Sequence, residues 1–214
     1  MTTAASAAPR RRKDTRPAEL LDAALDVFAE KGFAAARMED IAAHAGAAKG
    51  TLYLYYPSKE AVFEALVRSA VIPNLERAEA LAAAHDGPVE PLLRQLMVAV
   101  AGIVRDSRLV FLPRLLIGEL YKFPELARFY RTQVIDRGLR LVASLHRRGV
   151  ERGEFRPQDS QAVAKLVVAP VLLMAVWRTV LASHGDGPFD PGPILDAHVE
   201  VLLRGLKPHP GEAT

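Results

Sequence analysis

Three features of the sequence predict an all-α fold. Strand-like alternation is scarce, Ala, Leu, Arg and Glu abound, and apolar residues recur at helical spacing. Half of the 214 residues are hydrophobic, enough for a packed core and too many for a disordered chain. The length suits one large domain, or a small one joined to a larger one.

Residues 1–16 read as a disordered basic arm. Arg10, Arg11, Arg12, Lys13 and Arg16 lie within seven residues and are opposed only by Asp14. Such an arm either neutralises DNA phosphates and enters a minor groove or stays a solvated tail. Pro17 suits a first helical turn. Leu20, Leu21, Ala24, Leu25 and Phe28 then form one apolar stripe, and Gly32 closes the helix. A short helix is expected from Met38 to Ala45 with Ile41 and Ala42 inward, broken at Gly46, and another from Ala47 to Leu54. Ser58 should cap the next helix, with Ala61, Val62, Ala65 and Leu66 on its buried side and Pro73 interrupting it. Asp86-Gly87-Pro88 reads as a loop.

Longer helices follow, over Val89 to Arg105, Pro113 to Lys122 and Glu125 to Arg152, the last ended by Gly153. Asp159 or Ser160 should start a very apolar helix that runs to Leu181 with a kink at Pro170. After a loop from His184 to Pro193, the last helix carries Ile194, Leu195, His198, Val201, Leu202 and Leu206 on one face. The residues after Lys207 form a Pro-rich tail.

Several functions are disfavoured at once. Cysteine is absent, which removes disulfides, thiol catalysis and Cys-ligated metal, and fits an intracellular protein. The six histidines, His44, His85, His146, His184, His198 and His209, lack zinc-helix spacing, so no metal site is expected. There is neither a phosphate-binding Gly-rich loop nor a nucleophile elbow, so neither an enzyme nor a cofactor is expected. No apolar start resembles a secretory leader. The longest unbroken apolar run, Leu166 to Trp177, falls short of the ~20 residues a membrane span needs. A cytoplasmic location is therefore expected. The net charge of +3 is only mildly basic.

The segment from Met38 to Tyr56, MEDIAAHAGAAKGTLYLYY, meets the needs of a helix-turn-helix. Ala42 is small where a second helix would cross. Gly46 sits in the turn four residues on, and Ile41, Ala45, Ala47 and Leu52 supply the locking contacts. The second helix then faces outward, where it fits a major groove. Lys49 brings charge and Gly50 permits close approach, while Thr51, Tyr53 and Tyr55 carry hydroxyls for phosphates or bases. Lys59, in the first turn of the next helix, opposes the helix dipole there, and a bound phosphate would offset that cost. An ordinary helical hairpin has the same spacing.

The longer run LLDAALDVFAEKGFAAARMEDIAAHAGAAKGTLYLYYPSKEAVFEALV, Leu20 to Val67, resembles the DNA-binding domain of the TetR family of repressors. VFAEKGF, MEDIAAHAG and KGTLYLYYPSKE carry the resemblance. It implies a three-helix helix-turn-helix domain, here over 17–63, followed by a C-terminal helical domain over 64–207 that binds an effector and dimerises. By position, Thr51, Tyr53, Tyr55 and Lys59 match the family's usual DNA contacts, and Tyr56 matches a core aromatic. The sequence departs from the pattern at Ala47-Ala48, where Val-Ser is common, and at Arg37, where Thr is common. Arg37 therefore stands as a candidate replacement phosphate contact.

The resemblance further implies a homodimer on a palindromic operator, with the last two helices forming the interface, and a small, mostly apolar effector among residues 90–180. Phe111, Leu115, Phe129, Leu172 and Trp177 are the candidate apolar lining, with Glu119, Tyr130, Gln133 and Arg137 as polar groups beside it. A helical ligand-binding protein or enzyme with an incidental N-terminal hairpin is the alternative reading.

Overall fold

The computed structural model describes residues 17–106, 109, 112, 115, 118–182 and 190–208. The basic arm, Phe111, His184 and His209 lie outside them. The described residues are helical and contain no strand. α1 (Pro17–Lys31), α2 (Met38–His44), α3 (Lys49–Tyr55) and α4 (Lys59–Ala70) come first. α5 (Ile72–Ala84) and α6 (Val89–Asp106) follow. A 3-10 turn at Leu120–Lys122 leads into α7 (Pro124–Tyr130), α8 (Asp136–Glu151), α9 (Ser160–Val176) and α10 (Gly192–Leu206).

Local chemistry accounts for most of the boundaries. Gly32 at φ +76° and Gly46 at φ +63° take the left-handed backbone that ends α1 and turns α2 into α3. Ser58 caps α4, its Oγ accepting from Ala61 N at 3.2 Å, and Asp159 caps α9 by accepting from Gln161 N at 2.9 Å. Pro73 starts a new helix because it lacks an N–H for the preceding turn; the break falls at Val71. The expected helix from Glu125 to Arg152 is interrupted by a π-helical turn at Arg131–Ile135. The expected end of the apolar helix at Leu181 is likewise a π-helical turn, Trp177–Leu181.

Two cores dominate. The first joins α1 to α4 with Leu112, Leu115, Leu120, Leu126 and Tyr130, so it crosses the residue-63 boundary drawn from the sequence. Phe28, Phe33 and Phe63 form its centre, with ring centroids 5.3–6.3 Å apart. Each buried ring is worth roughly 1.5–3 kcal/mol, and each tilted or edge-on pair adds ~0.5–1.5 kcal/mol. α4 buries Val62, Phe63, Leu66 and Val67; the expected Ala61 and Ala65 are only half-buried. The second core packs α6, α8, α9 and α10 around Leu93, Leu145, Phe155, Val167 and Leu203.

The last helix corrects the single apolar face expected of it. Leu195, Val199, Leu203 and Leu206 point into the protomer, while Ile194 and Val201 stand on the exposed side, Val201 at 71%. The outer face of α9 is also apolar and exposed, at Leu166 and Leu173. α10 therefore carries two sets of apolar positions, one buried in the core and one exposed on its outer side.

Candidate nucleic-acid interface and effector region

The interface begins with the turn between α2 and α3. Gly46 N donates to Ala43 O at 3.1 Å and Ala47 N to Ala42 O at 2.9 Å. Ile41, Ala42 and Leu52 are buried, which locks the two helices together. α3 buries only Leu52, leaving Lys49, Gly50, Tyr53, Leu54 and Tyr55 exposed and Thr51 half-exposed. Of the seven expected residues of this surface, Lys49, Gly50, Thr51, Tyr53 and Tyr55 share the outward side of α3, Arg37 lies exposed at the start of α2, and Lys59 stands apart at the start of α4. Tyr56 packs half-buried against the first core, as its aromatic position implied.

Leu54 was not anticipated. It is 85% exposed, next to the C-terminal end of the outward helix. The signal was present in the LYLYY run, but a leucine between tyrosines reads equally as core until the helix phase is known.

Electrostatics hold this surface ready. Lys49 pairs with Glu39 across the turn and lies 5.7 Å from the Tyr53 ring centre. The hydrogen bond from Lys49 is the main reason the Glu39 carboxyl is lowered, and it raises Lys49 in return. Asp40 accepts from Arg37 N at 3.0 Å and pairs with Lys31 at 2.9 Å, tying the start of α2 to the end of α1. Both bonds lower its carboxyl, that of Lys31 more.

Lys59 occupies a different setting from the phosphate contact expected of it. Its Nζ donates to Phe33 O at 2.6 Å, Ala36 O at 3.1 Å and Ala34 O at 3.2 Å. It also lies 4.6 Å from the centre of the Phe33 ring. An ammonium has three N–H groups, and all three are engaged by the α1–α2 loop. The opposition to the helix dipole is thus offset by protein carbonyls.

The same loop is held from the other side by Glu119. Its Oε2 accepts from Ala34 N at 2.6 Å, and a Cβ on Gly32 would lie 2.5 Å from its Oε1. Phe123 stands edge-on to Phe33 at 4.9 Å. Glu119, expected as an effector contact, thus touches the DNA-binding half.

The other effector candidates are dispersed. Leu115 and Tyr130 are buried in the first core, where burial pushes the Tyr130 hydroxyl upward. Phe129 lies under the Arg68 guanidinium at 4.7 Å, and Gln133 is half-buried in the π-helical turn. Arg137 forms a two-point pair with Glu79, at 3.0 and 2.5 Å. Leu172 is half-buried and Trp177 is exposed, both toward the end of α9. A cavity of about 500 Å³ opens between α5 and α8, and of these candidates only Arg137 lines it. Among the described residues no group of three or more His, Asp or Glu side chains is placed to hold a metal ion. No helix among them is long and apolar enough to cross a membrane.

Comparison with known proteins agrees with this architecture. Residues 20–66 match the model for bacterial regulatory proteins of the tetR family, and residues 83–184 match a tetracyclin repressor-like C-terminal domain. The fatty acid metabolism regulator protein of Bacillus subtilis is 24% identical over 196 residues, covering 91% of this chain and 98% of that protein. The crystal structure of the Bacillus subtilis regulator FadR in complex with stearoyl-CoA superposes with a TM-score of 0.72 at 19% identity. It covers 89% of this chain and all of that one. The ketosteroid transcriptional regulator KstR2 of Mycobacterium tuberculosis gives a TM-score of 0.68 at 22% identity, covering 92% and 98% of the two chains.

Proposed function

The chain belongs to the tetR family of bacterial regulatory proteins, and from that premise we propose how it reads DNA and what it answers to. It is a ligand-responsive, DNA-binding transcriptional regulator that acts as a dimer on operator DNA. In our reading residues 17–63 are the DNA-binding unit and 64–207 the effector-binding and dimerisation unit. The protein acts in the cytoplasm as a repressor.

The observation that carries the DNA-reading proposal is the outward face of α3. A seven-residue helix that buries one side chain and exposes Tyr53, Leu54 and Tyr55 gains little stability from them. Its shape and composition suit a major groove. Tyr53, Tyr55 and Thr51 offer hydroxyls, Gly50 permits close approach, and Leu54 offers an apolar contact to a thymine methyl. Lys49 and Arg37 supply charge for phosphates. Two such heads related by a two-fold axis require inverted half-sites. Lys59 serves this surface by fixing the α1–α2 loop.

The effector is mostly apolar. One of the similar structures is a complex with stearoyl-CoA, which carries a long apolar acyl chain, and another is described as a ketosteroid transcriptional regulator. The helices after α5 are rich in bulky apolar residues. Release of DNA requires that the effector bind the DNA-incompetent arrangement more tightly than the competent one. Glu119 and Phe123 lie on the path between the two units.

Selection from a random DNA pool tests the reading. The enriched fragments should contain one inverted repeat, and Leu54→Asn should change the preferred base at one position of each half-site without loss of fold. Absence of enrichment, or an unchanged preference in Leu54→Asn, refutes this docking of α3.

A further inference from the structure

The α1–α2 loop, residues 32–36, is gripped by opposite charges from two parts of the chain. Lys59 of α4 donates to the Phe33, Ala34 and Ala36 carbonyls, and Glu119 accepts from Ala34 N at 2.6 Å. The lysine lies within the residues that match the tetR-family model, and the glutamate within those that match the C-terminal domain. The loop is therefore tied to both segments, and it runs directly into Arg37 and α2.

The glutamate is closely fitted to this place. Its backbone is fixed, with Glu119 N donating to Leu115 O at 3.0 Å and Glu119 O accepting from Lys122 N at 2.9 Å, between the buried Leu115 and Leu120. Gly32 leaves the room that the carboxylate occupies, since a Cβ there would lie 2.5 Å from Oε1. Phe123, at the end of the same 3-10 turn, stands edge-on to Phe33 at 4.9 Å, and its ring centre lies 5.9 Å from Lys59 Nζ. Apolar packing such as that of Phe63 against Tyr130 tolerates small slides. A carboxylate–amide bond does not, because a shift of about 1 Å takes it beyond hydrogen-bonding reach.

We propose that Glu119 is the positioning residue through which the C-terminal unit sets the α1–α2 loop, and with it α2 and the reading helix α3. This role rests on α3 as the DNA-binding helix and adds the link through which an effector acts. An effector that displaces the turn at residues 119–122 frees Ala34 N and removes the loop's hydrogen-bonded anchor in the C-terminal unit. By linkage the reverse holds, so DNA seated on α3 steadies that turn.

Hydrogen–deuterium exchange of the full chain tests it, first without DNA and then with the inverted-repeat duplex recovered by selection. Without DNA, Glu119→Ala should exchange faster at residues 33–36 and through α2 and α3, while the second core stays as protected as in the natural protein. Duplex affinity, read by fluorescence anisotropy, should fall about three- to tenfold. Glu119→Gln, whose amide oxygen can still accept from Ala34 N, should keep most of that affinity. Duplex binding should protect residues 118–123 in the natural protein and not in Glu119→Ala. The proposal is overturned if α2 and α3 exchange as before in Glu119→Ala, if the duplex binds that variant with natural affinity, if Glu119→Gln falls as far, or if protection still reaches 118–123. Selection that enriches no DNA refutes α3 as the reading helix instead, and the DNA-free exchange then decides the positioning role by itself.

Discussion

Replacing Lys59 by Met separates two roles that a lysine near a DNA-binding helix can play. The stem is retained and the charge is lost. In the structure the ammonium makes three hydrogen bonds to Phe33, Ala34 and Ala36 carbonyls, two of them partly buried, and lies over the Phe33 ring. Hydrogen bonds from a charged donor contribute ~1.5–3 kcal/mol each when well buried, and a cation–π contact ~0.5–1 kcal/mol. The partial exposure of the site and the shared donor reduce the sum, and a loss of about 2–4 kcal/mol is expected. For a chain of this length that lowers Tm by roughly 5–10 °C. Thermal unfolding followed by circular dichroism reads this directly. Operator affinity of the variant should fall, because the α1–α2 loop no longer fixes α2 and α3, but the salt dependence at a temperature where it is folded should stay unchanged. A direct phosphate contact behaves oppositely, reducing the slope by about 0.9 and leaving Tm intact. An unchanged Tm with a reduced salt slope refutes the structural role.

Three further outcomes are expected. Gly149→Ala drives a Cβ into the buried Phe155 ring, so calorimetry should show a loss of about 1–3 kcal/mol or more. His146 is fully buried, with Nδ1 2.8 Å from Ser160 Oγ; burial, with a smaller effect of Arg147, holds its imidazole below the ordinary value of 6.5. The unfolded chain therefore takes up this proton first, so His146's contribution is complete above pH 6.5 and is lost as pH falls below it. Urea titrations between pH 7.5 and 5 should show a steeper decline for the natural protein than for His146→Gln. Val201→Glu, on the exposed stripe of α10, should convert the dimer to a folded monomer in sedimentation velocity. A dimer that survives it has its interface elsewhere.

The sequence alone determined what depends on neighbouring residues. Gly32, Gly46, Ser58 and Asp159 act on their own backbone within a few residues, so the ends of α1, α2, α4 and α9 were readable from spacing and capping chemistry. The helix-turn-helix was readable for the same reason, since Ala42, Gly46 and Leu52 meet across one short turn. Tertiary structure decided everything that depends on contacts between distant positions. The carbonyls around Lys59 lie 23 to 26 residues away, and Glu119 reaches Ala34 across 85 residues. Arg148 meets Ala82 from 66 positions away. A charged side chain on a helix reads as solvated until the element packed against it is known. The same holds for α10, where helical periodicity marks apolar positions but only packing assigns Leu195 to the core and Val201 to the outside, because both stripes have the same chemistry and differ only in what covers them.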